Sequence, residues 1–162
     1  MKILVIAPHP DDETLGCGGT LLRNKDEGDE LYWVIVTGVS VNSGWSESKV
    51  KERDTEISKV ADKYNFNDVF ELKVATTELD TLTMNEIVEK FTNIYKKVKP
   101  ETMYMPYVND VHTDHQIVAK AAQSSIKWFR HHYIKNVMMY ETLSETEFNF
   151  IGNRVYRPNV FK

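Results

Sequence analysis

Cysteine is almost missing from this chain of 162 residues, which contains only Cys17. A single thiol excludes an internal disulfide framework and a zinc site built from cysteines, and it fits a reducing compartment. The sequence also has no apolar run long enough to span a bilayer, and no charged leader with a cleavable apolar segment before its first apolar stretch. We therefore expect a cytoplasmic protein without an integral membrane segment.

A strong excess of one charge is missing too. The chain has 20 basic and 24 acidic residues, for a formal net charge of -4, and neither sign forms a long run. Nucleic acid and anionic membranes are therefore poor default partners. Internal repeats, low-complexity stretches and linkers are also lacking. The sequence predicts a single domain over residues 1–162, a length that buries about 70% of the unfolded surface in one core.

What the chain does contain is an alternation of short apolar runs and amphipathic stretches. The apolar runs predict strands, and apolar residues spaced at the helical period predict helices. The predicted strands cover residues 2–7, 30–37, 69–74, 102–105 and 137–140, and the predicted helices cover residues 14–27, 48–64, 84–97 and 112–126. This order predicts an α/β fold with an open, mostly parallel sheet and right-handed crossovers.

The turn after the first strand carries the first chemical motif, Ala7-Pro8-His9-Pro10-Asp11-Asp12-Glu13. The two prolines end the strand and hold His9 extended. His9 and Asp12 are short side chains of a kind that binds metals, and they lie three positions apart, so they can bind one divalent ion. Asp11 would then lie beside the ion as an unligated carboxylate. The glycines at 16, 18 and 19 invite a dinucleotide interpretation, but the acidic turn before them would repel a pyrophosphate.

The second motif, His112-Thr113-Asp114-His115, opens the helix that follows the fourth strand. Ligands of such sheets gather at the carboxyl edge, where the strand order reverses, so the two motifs are predicted to share one metal ion. Two imidazoles and one carboxylate suit zinc, and three protein ligands leave a position for water, which is typical of a catalytic site. No serine or cysteine nucleophile is required.

Together the two motifs resemble the PIG-L/LmbE-like family of zinc-dependent deacetylases. The resemblance rests on Ala-Pro-His-Pro-Asp-Asp-Glu with Gly-Cys-Gly-Gly-Thr behind it, joined to Asn-Asp-Val-His-Thr-Asp-His, and it extends weakly to Arg53 and Glu56. It implies a Rossmann-like three-layer fold, one zinc ion (Zn2+) per chain, and hydrolysis of an N-acetyl group on an amino sugar or a sugar conjugate.

The resemblance also implies a role for each matching residue. The implied zinc ligands are His9, Asp12 and His115. Asp11 would be the general base toward zinc-bound water, and His112 would assist the oxyanion or the departing amine. Asp114 would stand behind His112, raising its imidazolium population through a hydrogen bond to the far ring nitrogen.

The chain departs from the family pattern at three places. Pro8 stands between Ala7 and His9, and Thr113 stands where the family often has proline, but neither change removes a chemical group. The sequence also stops soon after residues 157–161, where family members tend to continue. From the resemblance we therefore expect either a short family member or a fragment that lacks a C-terminal segment.

Substrate contacts are predicted less sharply. Arg53, near the start of the second helix, is a candidate for a polar or anionic part of the substrate, although a solvated surface arginine is the ordinary outcome. The polar segment 39–47 is expected to form a loop above the same sheet edge, where loops often hold substrate. Trp45, Tyr107 and Phe129 could stack on a sugar, but core or loop packing is the commoner role.

Two other functions remain open at this level. One is an amidase that acts on a thiol-sugar conjugate, and the other is a non-catalytic module that binds metal or sugar. The sequence does not fix the N-acetylated substrate, the native metal among zinc, iron and cobalt, or whether the protein forms a homo-oligomer.

Overall fold

The computed structural model of the protein describes residues 1–143, 145–148 and 155–161. Its strands are β1 (Lys2–Ala7), β2 (Glu30–Gly38), β3 (Asp68–Ala75), β4 (Thr102–Pro106) and β5 (Asn136–Tyr140). Its α-helices are α1 (Asp12–Asp26), α2 (Glu47–Tyr64), α3 (Met84–Val98) and α4 (Thr113–Ser125). Every predicted strand and helix is therefore present, with its bounds shifted by two residues or fewer.

The five strands form one parallel sheet in the order β3-β2-β1-β4-β5. This arrangement confirms the predicted α/β fold of Rossmann-like type. The chain leaves β1 toward β2 and β3 and later returns to the other side of β1 to form β4 and β5. The strand order thus reverses between β1 and β4, and the carboxyl ends of these two neighbours form the crevice where such folds bind ligands.

Strand β1 is buried on both faces, which explains its continuous apolar run. Leu4 and Ile6 contribute to the core that contains α3 and α4. Ile3 and Val5 point the other way, into the core that contains parts of α1 and α2. The sheet is therefore covered by helices on both faces, and β1 lies at its centre. In the described part of the chain, no helix has both the length and the apolar character needed to cross a membrane.

Helix α1 approaches β5 closely at a glycine. A Cβ atom at position 16 would lie 2.7 Å from Cε2 of Tyr140 and closer still to Cδ2. The Tyr140 ring is buried and its hydroxyl donates to the Ile6 carbonyl at 2.8 Å, so the ring is held in place. The helical dihedrals also break at Cys17, with φ -143° and ψ 21°. The glycine run therefore allows this close packing.

We expect Gly16→Ala to destabilise the fold by about 1–3 kcal/mol, because the added methyl must displace a fixed ring. Gly19→Ala is the matched control, since a Cβ there meets no described atom within 4 Å. That change should be neutral, or stabilising by up to about 1 kcal/mol, because alanine favours the helix. Urea unfolding midpoints of the two variants test this, and equal midpoints would contradict the close packing at Gly16.

Candidate active site

The turn that carries the first motif is held by hydrogen bonds to β2 and by hydrogen bonds within the turn itself. The Thr37 amide and hydroxyl both donate to the Pro8 carbonyl at 2.9 Å, which ties the turn to the end of β2. The amides of Asp11 and Asp12 donate to the His9 carbonyl at 2.9 and 3.3 Å. The Asp12 carboxylate in turn accepts from the His9 amide at 2.8 Å. These bonds orient His9 and Asp12 toward the start of α4.

Three donor atoms, from the turn after β1, from α1 and from α4, form an equilateral triangle at this point. His9 Nδ1, Asp12 Oδ2 and His115 Nε2 lie 3.2 Å apart in each of the three pairs. Ligand atoms at about 2.0–2.2 Å from a tetrahedral ion would be separated by about 3.3–3.6 Å. The structure therefore brings together the three residues predicted as ligands, and their spacing and donor atoms fit a divalent ion such as zinc. We call this set the His–Asp–His triangle.

Both histidines of the triangle place their second ring nitrogen against a carboxylate. His9 Nε2 lies 3.2 Å from Asp114 Oδ2, and His115 Nδ1 lies 3.0 Å from Asp110 Oδ2. These contacts favour a proton on the outer nitrogen and a lone pair on the inner one. Histidines that bind metals are oriented in this way in most metal sites.

The carboxylates make the triangle favourable for positive charge. Burial opposes the charged form of His115, but its bonds to Asp110 and Asp12 outweigh this and raise its pKa to about 9. Burial also opposes ionisation of Asp12, yet hydrogen bonds from His115 and His9 lower its pKa to about 2. The carboxylates thus favour a positive charge at this point, which a bound cation would supply in place of the His115 proton.

Asp110 is a further residue of the site that the sequence patterns do not single out. It is buried, its carboxylate contacts His115, and it also accepts from the Thr146 hydroxyl at 3.1 Å. The Gln116 side chain donates to its backbone carbonyl at 2.7 Å. Asp110 lies two residues before the second motif, but no periodicity relates a loop residue to a helical residue five positions later. Only its closeness in sequence to the histidines could have suggested it.

Asp114 supports His9, and the predicted contact of its carboxylate with the far nitrogen of His112 is wrong. Asp114 Oδ2 lies against His9 Nε2 and accepts from the Thr77 amide at 2.9 Å. Its backbone amide, in contrast, donates to His112 Nδ1 at 3.1 Å. The cause is helix geometry, because His112 is the N-cap of α4 and its side chain faces the unpaired amides of the first turn.

The His112 ring packs beside the triangle, 4.6 Å from the His9 ring and 5.1 Å from the His115 ring between centroids. His9, His112 and His115 are also close enough to hold an ion together. However, a neutral imidazole that accepts a bond at Nδ1 carries its proton on Nε2 and has no lone pair there for a metal. Burial and the positive charges of His9 and His115 lower the pKa of His112. The geometry favours a neutral Nε2–H donor.

Asp11 differs from its neighbour Asp12. It occupies the N-cap position of α1, yet its side chain makes no capping hydrogen bond within the described residues. Asp11 is exposed at the surface, yet partial desolvation beside the site and the negative charge of Asp12 raise its pKa. Asp11 is therefore a carboxylate next to the triangle that neither belongs to it nor caps the helix.

Arg53 lies on α2 at the side of the site, not inside the triangle. It is half-buried, and its Nη1 lies 3.3 Å from Glu56 Oε2. Its positive charge is near enough to Asp11 to act against the rise in that carboxyl's pKa. Arg53 also lines a recess of about 180 Å³. Two larger cavities, of about 360 and 660 Å³, lie along β5. Tyr107 lines the larger one, and their described lining includes none of the predicted metal-binding or catalytic residues.

Comparison with known proteins identifies the family. The family model PIG-L, described as GlcNAc-PI de-N-acetylase, matches residues 4–126, and the chain belongs to this family. The resemblance inferred from the two motifs is thereby confirmed.

Individual relatives are distant and mostly longer. The diacetylchitobiose deacetylase of Thermococcus kodakarensis is 28% identical over 109 residues, which is 65% of this chain and 40% of that protein. The uncharacterized deacetylase YaiS of Escherichia coli K12 is 28% identical over 147 residues, 88% of this chain and 74% of YaiS. The crystal structure of the conserved protein TT1542 from Thermus thermophilus has a TM-score of 0.71 at 25% identity, covering 86% of this chain and 65% of TT1542.

Proposed function

We propose that the protein is a zinc-dependent N-deacetylase that acts on an amino sugar or a sugar conjugate. The observation that carries this proposal is the His–Asp–His triangle with Asp11 beside it at the strand-order reversal. The family description supports the reaction, since it names a de-N-acetylase of an N-acetylglucosamine conjugate. The name of the Thermococcus relative supports the substrate class, since diacetylchitobiose is an N-acetylated disaccharide.

The protein's own groups can be given roles around the scissile amide. His9, Asp12 and His115 would hold one divalent ion, which when bound polarises the amide carbonyl and makes water more acidic. Asp11 accepts a proton from the attacking water. His112 donates its Nε2–H to the carbonyl oxygen as negative charge develops there. Asp11 then returns the proton to the nitrogen of the breaking C–N bond, so that acetate and a free amine leave.

Asp11 argues against a module that only binds metal or sugar. A binding site gains nothing from a carboxylate that lies outside the triangle, caps no helix and has a raised pKa. The other alternative, an amidase on a thiol-sugar conjugate, uses the same groups in the same roles. It differs from the proposed deacetylase only in the amide that it cleaves, so substrates must separate the two.

Acetate release tests the proposal. The zinc-loaded protein is incubated with N-acetylglucosamine, diacetylchitobiose and an N-acylated thiol-sugar conjugate, and acetate and free amine are quantified. We expect equimolar acetate and amine from an N-acetyl sugar, loss of release after chelation, and recovery when zinc is restored. About one bound zinc per chain without acetate from any substrate would favour the binding module.

Arg53 is proposed to contact a polar part of the substrate. We expect Arg53→Ala to raise KM more than it lowers kcat, because the contact contributes to binding in the ground state and the transition state alike. Lys51→Ala is the matched control, an exposed cation on the same helix. If the kinetics of Arg53→Ala are unchanged, Arg53 does not contact the substrate and is a surface residue that pairs only with Glu56.

A further inference from the structure

A recess next to the candidate site shares Arg53 with it and takes no part in the chemical steps proposed above. It has a volume of about 180 Å³ and is lined by Val39, Trp45, Lys49, Glu52, Arg53 and Glu56. Sites for drug-sized ligands usually measure about 300–1,000 Å³. The recess is therefore of a size that suits one ring.

The recess lies at the same edge of the sheet as the triangle. Strands β1 and β2 pair with Ala7 opposite Ile35, and Thr37 holds the Pro8 carbonyl through its amide and its hydroxyl. The loop that follows β2 therefore starts beside the turn that carries His9. A molecule with its reacting group at the triangle can reach the recess across this shared edge.

The loop over residues 39–46 presents Trp45 in a fixed position. On one side, Ser40 and Ser43 form a reciprocal capping box, and Gly44 takes a left-handed φ of 88°. On the other side, the Ser46 hydroxyl caps α2 by accepting from the Lys49 amide at 3.3 Å. The indole between these two anchors remains 48% exposed. A ligand that contacts it therefore need not order the loop first, which lowers the entropic cost of binding.

The chemistry of the recess fits a neutral, polar ring. Its four charged side chains form two ion pairs, Lys49–Glu52 at 2.6 Å and Arg53–Glu56 at 3.3 Å, so their charges sum to zero. Such a set of side chains, with no net charge, gives an anion little electrostatic stabilisation. The pairs instead offer donors and acceptors to hydroxyl groups, and an exposed indole offers a flat apolar face. A pyranose has a face of C–H groups and a rim of hydroxyls that match both.

We propose that Trp45 is the stacking platform of a second sugar subsite, which binds a pyranose linked to the acetamido sugar whose amide is cleaved. The inference rests on the proposed function and narrows it. The substrate becomes a conjugate with a second pyranose ring, and Trp45 becomes a specificity-determining residue that does not take part in the chemical step.

The test compares Trp45→Ala with Trp128→Ala, a control that removes another exposed indole, 81% accessible and outside the recess. Kinetics are measured on N-acetylglucosamine and on its β-1,4-linked disaccharide with the zinc-loaded protein. An aromatic contact of this kind contributes about 0.5–1.5 kcal/mol. We therefore expect Trp45→Ala to lower kcat/KM for the disaccharide about two- to tenfold, through KM, and to leave the monosaccharide unchanged. Trp128→Ala should change neither.

Tryptophan fluorescence measures sugar binding at the same subsite and does not require turnover. The disaccharide should alter the emission of the wild type and of Trp128→Ala but not that of Trp45→Ala. If this pattern holds while no protein releases acetate, the deacetylase proposal fails and the subsite stands. The subsite is overturned if Trp45→Ala binds the disaccharide normally, if it loses both sugars equally, or if the disaccharide leaves the wild-type emission unchanged.

Discussion

Asp11→Asn should retain the fold and the zinc and yet lose turnover by about 10² to 10⁴, the usual contribution of a positioned general base. The amide keeps the shape of the side chain and some of its hydrogen bonding, but it cannot accept the proton of the attacking water. Because Asp11 makes no capping bond within the described residues, its replacement should cost little stability. Turnover, zinc content and urea midpoint are measured on the same preparations.

Asp26→Asn is the matched control, since it removes an exposed carboxylate from the other end of the same helix. It should behave as the wild type. In the wild type, activity should rise with pH as Asp11 loses its proton, from a pKa that partial desolvation and Asp12 raise above the ordinary value. This limb should be absent from the residual activity of Asp11→Asn. Loss of zinc from the variant would make Asp11 a ligand or structural support, and near-normal turnover would remove it from the mechanism.

His115→Ala should abolish both zinc binding and activity. The side chain is buried and supplies one corner of the triangle, so its removal leaves two donors and an empty space where the ring stood. Elemental analysis should find about one zinc per chain in the wild type and clear loss in His115→Ala and in His9→Ala. His132→Ala, which removes an exposed imidazole, should keep the wild-type content.

Asp110→Asn is expected to weaken zinc binding by less than the removal of a ligand does. The amide oxygen can still accept from His115 Nδ1–H, but without the negative charge that makes the ring a better donor to a metal. A change of this kind weakens metal affinity by about 10- to 100-fold. A competitive chelator titration measures the difference. Full zinc retention in both His9→Ala and His115→Ala would overturn the site, whatever Asp110→Asn does.

The fold was predictable because its signals are local and repeated. The apolar run of β1 marks a strand buried on both faces, and each later strand is separated from the next by one helical pattern. Right-handed crossovers then restrict how such units assemble, and the sheet edge collects the motifs that follow β1 and β4. The meeting of His9 with His115, 106 residues apart, followed from this rule.

The contacts around the triangle were not predictable in the same way, because they depend on which direction each side chain takes. Asp114 and His112 are two residues apart, and only the N-cap geometry of α4 decides that the amide of Asp114, not its carboxylate, faces His112. The burial of His131 likewise depends on the turns that follow a helix and not on a local sequence pattern. Helix α4 ends at Ser125, and the following turns return His131 to the interior, where its ring packs on Tyr95 at 5.7 Å.

The most direct test of the metal centre is an anomalous difference map of the zinc-loaded protein, collected at the zinc absorption edge. We expect one peak bonded to His9 Nδ1, Asp12 Oδ2 and His115 Nε2 at about 2.0–2.2 Å, with a further position open to solvent. His112 should remain unbonded to the ion and keep its contact with the Asp114 amide. An ion held by His9, His112 and His115 with Asp12 outside, or one enclosed by four protein ligands, would contradict the open His–Asp–His site.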